Sequence, residues 1–134
     1  MRVGCFEVNI PIPASEKSGS GTQTRNWELV QRAWWDAVTA IYKDNRNVSA
    51  RIALEMRITG DSFVIMAPQR GNSLGTVSIE VITNMPAVRD DEGKKWKSFK
   101  QNLMDIWSSY KDADGKPLKV RPHWAKEWWV PNWS

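Results

Sequence analysis

The chain reads as an α+β domain: an antiparallel sheet with two helices packed on one face and an irregular, Trp-rich C-terminal tail. Three observations predict it. Residues 51–59 (RIALEMRIT) alternate strictly between two faces, as a half-buried strand does. Two stretches, at 27–41 and 94–110, repeat apolar residues at steps of three and four, as amphipathic helices do. The elements run strand, helix, strand, short strand, strand, helix, and two helices on one face of one sheet is the simplest packing of that order.

Each element has a local cause. In residues 4–11 (GCFEVNIP), Cys5, Glu7 and Asn9 alternate with Phe6, Val8 and Ile10. Pro11 and Pro13 end that strand, because proline donates nothing to a ladder. Residues 14–24 are polar and rich in Ser and Gly, which predicts a mobile loop. Asn26 is placed to cap a helix that starts at Trp27. Trp27, Val30, Trp34, Val38 and Ile41 form its apolar stripe, which assigns Trp27 and Trp34 to the core. Residues 43–47 (KDNRN) are a turn. In the strand at 51–59, Ile52, Leu54, Met56 and Ile58 face a core. Arg51, Ala53, Glu55, Arg57 and Thr59 face away.

Gly60-Asp61 turns the chain into a short apolar strand at 62–66, ended by Ala67-Pro68, with a loop at 69–75. Residues 76–83 (TVSIEVIT) alternate again, with Val77, Ile79 and Val81 opposite in sense to Ser78, Glu80 and Ile82. A charged connection at 86–93 leads into the second helix, which turns Trp96, Phe99, Leu103 and Ile106 inward. Residues 112–115 (DADG) stop it. The tail, 117–134, is rich in Pro and Trp and has no clear period.

The 134 residues suffice for a single domain, 1–134, with a real core. Hydrophobic residues are 41% and charged residues 25%, an ordinary soluble balance. No apolar run reaches transmembrane length and the first residues hold no signal-peptide core, which favours a cytoplasmic location. One cysteine, Cys5, excludes an internal disulfide and supplies no metal cluster. The net charge of +4 is mild and its basic residues are scattered among acids, which argues against nucleic acid as a partner.

The outer face of the sheet carries Glu55 and Arg57, two residues apart on one rigid strand, and Glu80 on another. The tail adds RPHWAKEW at 121–128, with the sole histidine, His123, followed by Trp124 and Lys126. The residues alone leave two readings open. One is a solvated sheet face with a packing histidine. The other is a set of charges that meets a ligand.

Glu55-Met56-Arg57, then Ala67-Pro68, then His123-Trp124-Ala125-Lys126, in this order, resemble the C-terminal part of vanillyl-alcohol-oxidase-type FAD enzymes. The similarity is to the branch of arabinono-1,4-lactone, gulonolactone and galactonolactone oxidases and alditol oxidase; flavin-linked cholesterol oxidases have a similar Glu-x-Arg. It spans about residues 5–128 and implies a cap or substrate domain lying over a flavin. It implies oxidation of a CH–OH donor by hydride transfer to FAD, with oxygen as acceptor. By resemblance Glu55 orients substrate hydroxyls, Arg57 lies beside flavin and substrate oxygen, and Lys126 reaches the substrate, with His123 and Trp124 facing the site. Glu80 stands where alditol-oxidase-like members carry a histidine thought to help take the hydroxyl proton. The family's N-terminal FAD-binding domain is absent here, and no glycine-rich phosphate cradle replaces it. The implied partners are therefore that FAD-binding domain and a small alcohol, the chain being inactive alone. Membrane association occurs among the lactone oxidases. The reading from a different class is a non-enzymatic, Trp-rich module that binds carbohydrate or protein.

Overall fold

In the computed structural model, which describes residues 3–44, 51–84, 90–123 and 126, six elements follow one another. They are β1 (Val3–Pro11), α1 (Trp27–Lys43), β2 (Arg51–Thr59), β3 (Thr76–Asn84), α2 (Asp90–Ser108) and β4 (Arg121–Pro122). The sheet order is β2-β3-β1-β4, with every neighbouring pair antiparallel. β1, α1 and β2 make a βαβ unit split by β3, and β3, α2 and β4 make one split by β1. The α+β class follows as the sequence predicts.

Alternation in the two central strands builds the core. Phe6, Val8 and Ile10 of β1 lie opposite Val81, Ile79 and Val77 of β3, and all six are buried. Trp96, Phe99, Leu103 and Trp107 of α2 and Tyr110 just beyond it cover them. Trp107 also donates its Nε1–H to the Ala33 carbonyl at 3.2 Å, which locks the two helices together. α2 starts at Asp90 rather than 94, and at its end Trp107 is fully buried while Ile106 packs, partly buried, against the same core.

α1 begins as expected, with the Asn26 side chain accepting from the Leu29 N–H at 3.0 Å. Its buried face is different. Leu29, Val30, Ala33, Ala37 and Ala40 pack inward, while Trp27 is 47% exposed and Trp34 is only half-buried. Three alanines at steps of four and three let the helix approach closely. The indoles fall on its flank, so Trp27 and Trp34 are not core residues.

β2 departs too. Leu54 packs against the core, but Met56 and Ile58 are exposed, because the helix layer stops short of this edge strand's second half. The expected strand at 62–66 does not form; the segment is irregular, with Phe63, Val64, Ile65 and Met66 all exposed. Side-chain hydrogen bonds compete for its backbone. Asp61 Oδ1 accepts from the Ser62 and Gly71 N–H groups, and Ser62 Oγ accepts from the Val64 N–H.

Residues 14–25 are tied down rather than loose. Ser15 N–H donates to the Thr24 carbonyl at 2.8 Å, and the Ser18 amide and hydroxyl both donate to Asp114. Thr24 hydrogen-bonds Glu16 through its hydroxyl and amide, which holds the Glu16 carboxyl below its ordinary value. The start of the tail is also ordered. Leu118 N–H donates to the Tyr110 carbonyl, and β4 then joins the free side of β1.

Candidate functional site

The register of the sheet builds the site. Glu80 of β3 lies directly opposite Glu7 of β1 on one side and Glu55 of β2 on the other. Directly opposed residues of antiparallel strands project from the same face. Three carboxylates therefore stand in one row on the face away from the helices. The next row, two residues along, reads Arg57, Ser78, Asn9 and Arg121 across the four strands.

Like charges directly opposite destabilise a sheet, and buried carboxylates need compensation. Two cations supply it. Arg57 Nη2 lies 3.0 Å from Glu7 Oε2 and 3.9 Å from Glu80 Oε2, so its guanidinium crosses β3 diagonally. Lys126 Nζ lies 3.0 Å from the other oxygen, Glu80 Oε1. The acids are deeply buried, at 3% for Glu7 and 8% for Glu80, whereas the cations are part-exposed. The Arg57–Glu7 contact is close without hydrogen-bond geometry, and Glu7 Oε2 is left without a hydrogen-bond partner. Asn9 is in a similar state: its Oδ1 accepts from Ser78 Oγ at 2.6 Å, but its buried Nδ2 has no partner.

The tail reaches the row because it extends the β1 edge. His123 N–H donates to the Glu7 carbonyl at 2.9 Å, and Lys126 N–H turns back to the His123 carbonyl at 3.1 Å. That turn delivers the ammonium to Glu80. The hydrogen bond to Glu80 raises the Lys126 pKa above its ordinary value, against a smaller opposing effect of burial. Lys126 is therefore a fixed cation at neutral pH, not a base.

The predicted residues thus divide. Arg57, Glu80 and Lys126 come together, and Glu80 is buried rather than solvated. Glu55 stands in the same row but is exposed, with no ion-pair partner among the described residues. His123 contributes through its backbone, half-buried beside Glu7. Trp124 lies outside the described residues. Glu7 is the member that sequence reasoning missed. Its signal was an acid on the polar face of a strand, which becomes informative only once β1 is known to be central. The same register shows no cluster of His, Cys, Asp or Glu fit to hold a metal among the described residues.

A cavity of about 580 Å³ lies elsewhere, between Pro11–Pro13, the 16–23 loop, Asn72 and Asp114, and no member of the charged row lines it. No family model, curated protein or solved structure matches this chain, so its placement rests on the sheet register and the Arg57–Glu80–Lys126 cluster.

Proposed function

We propose that this chain is the substrate-facing, C-terminal portion of a flavoprotein oxidase acting on the CH–OH group of a polyol, sugar lactone or related alcohol. One observation carries the reading. Arg57 and Lys126, distant in sequence, close on Glu80 from two sides on the sheet face away from the helices, where the resemblance puts the substrate. FAD, when bound, supplies the acceptor for the hydride leaving the carbinol carbon. The residues suit one side of such a ring: fixed cations fit an electron-rich edge. Nothing in the sequence cradles a pyrophosphate, so that part of the cofactor belongs to a separate FAD-binding domain.

Within the chain each group has a task. Glu80 and Glu7 hold the two cations in place. Arg57 and Lys126 steady the alcohol oxygen as its proton passes to water. Glu55, exposed and with no cation beside it among the described residues, has lone pairs available for a substrate hydroxyl. The test is anaerobic flavin reduction by a complete enzyme that carries this chain behind an FAD-binding domain. Arg57→Ala should slow reduction more than about tenfold at saturating alcohol. A rate within about twofold of the parent removes Arg57 from the chemistry.

A second reading rests on a separate observation. Trp27, Trp35 and Tyr42 are exposed along α1, at 47%, 62% and 70%. Exposed aromatic rings are platforms for sugars or for a protein partner. Titrating the chain with soluble glycans should then quench Trp fluorescence, and Trp35→Ala should abolish the quenching.

A further inference from the structure

β2 is an edge strand of nine residues, and among the described residues nothing pairs with its outer rim. A long bare rim is a template for another strand unless proline, a bulge or charge on its buried face blunts it. Between Ala53 and Thr59 β2 has none of these; its one irregularity falls between Arg51 and Ala53. Its helix-side face there is apolar and uncovered, with Met56 39% and Ile58 50% exposed.

We propose that β2 pairs antiparallel with β2 of a second copy of this chain, about a two-fold axis at Met56. The charge pattern selects that register. Keeping both helix layers on one side requires opposed residues of the same face, so the axis must pass through a residue. Through Glu55 it opposes two carboxylates, and through Arg57 two guanidiniums. Through Leu54 it sets Arg57 against Arg51, and through Ile58 it sets Glu55 against Asp61. Of the five central axes, from Leu54 to Ile58, only the one through Met56 makes all the pairs compatible. Glu55 then faces the partner's Arg57, twice, and Ile58 faces the partner's Leu54, twice. Opposed charges stabilise a ladder and like charges weaken it.

The pairing also completes the charged row. Glu55 has no cation among the described residues of its own chain, while Arg57 is 55% exposed and has N–H donors beyond the one aimed at Glu7. In the dimer the row Glu7, Glu80, Glu55 runs on into Arg57, Ser78 and Asn9 of the second copy. The product is an eight-stranded sheet with four helices on one side and two charged sites on the other. It uses the rim of β2 and not the face that carries the Arg57–Glu80–Lys126 cluster, so it does not depend on the flavin reading.

Sedimentation equilibrium of the full chain across the micromolar range tests the dimer. The parent should be a dimer, and Ile58→Lys and Glu55→Arg should be monomers with unchanged circular dichroism. A Phe63→Ser/Ile65→Ser chain should remain dimeric, which separates strand pairing from adhesion through the exposed loop. In a Cys5→Ser background, Met56→Cys should oxidise to a covalent dimer, because opposed Cα atoms about 4.5–5.5 Å apart are within disulfide reach. Phe63→Cys should cross-link on the order of tenfold more slowly. A monomeric parent overturns the proposal. So does a dimer lost with the loop variant but kept by Ile58→Lys, or cross-linking of Met56→Cys no faster than that of Phe63→Cys.

Discussion

Glu80 and Glu55 are the same residue type, opposed across one ladder, yet their surroundings separate them. Glu80 is buried and touches two cations; Glu55 is exposed and touches none among the described residues. Removing Glu80 takes from Lys126 its carboxylate at 3.0 Å and leaves Arg57 with Glu7 alone. Breaking a fully buried pair costs about 3–5 kcal/mol. Both cations reach solvent here, so Glu80→Ala should cost about 1–3 kcal/mol after screening. Glu55→Ala, measured by urea unfolding at dilute protein, should stay within about 0.5 kcal/mol of the parent. Equal losses at both positions would mean that the clamp contributes nothing to stability. The sequence makes the pair Glu55 and Arg57 conspicuous because they share a strand. It hides Glu7, whose partner comes from a strand two places away.

At the scale of elements, the joint between α1 and α2 is the clearest departure from periodicity. A stripe of Trp27, Trp34 and Val38 looks like a core face because large apolar residues dominate any reading by hydrophobicity. The true seam is Ala33, Ala37 and Ala40, whose small side chains admit Trp107 from α2. Trp107→Ala should cost about 3–5 kcal/mol, as a cavity opens and the Ala33 carbonyl loses its donor. Ala37→Leu should cost about 1–3 kcal/mol for the opposite reason, overpacking. Thermal or urea unfolding of both variants checks the pair, and a neutral Ala37→Leu would place α1 farther from the sheet. The segment at 62–66 misleads in a related way: four apolar residues in a row read as a strand, but Asp61 and Ser62 divert the backbone into turns.

For the whole molecule, two groups set the alkaline limit. Tyr110 is buried and donates its hydroxyl to Asp36; burial first, then that bond, push its pKa above the ordinary phenol value. Lys126 is raised by Glu80. Both hold protons in the fold that the unfolded chain releases, so stability is full below their ordinary values and falls as pH climbs through the raised ones. Unfolding followed from pH about 9 to 12 should show that loss, and Tyr110→Phe and Lys126→Met should each flatten part of it. A parent whose stability is level over this range would contradict both assignments. The number and kind of elements were legible because β1, β3 and both helices carry strong periods. The strand order was not, because nothing local tells β1 that its neighbours are β3 and β4.

That order has a consequence for how the chain is made. β1 leaves the ribosome before the other elements of the sheet, yet it belongs in the middle of it. Pro11 must wait for Thr76 and Val3 for Asn84 before a ladder forms, and the β4 side closes only with Arg121. Until then Phe6, Val8 and Ile10 are an apolar strand with both rims bare. Pairings this distant close slowly, and a waiting strand is open to the wrong neighbours. Synthesis of this sheet thus exposes its most vulnerable segment well before the strands that protect it.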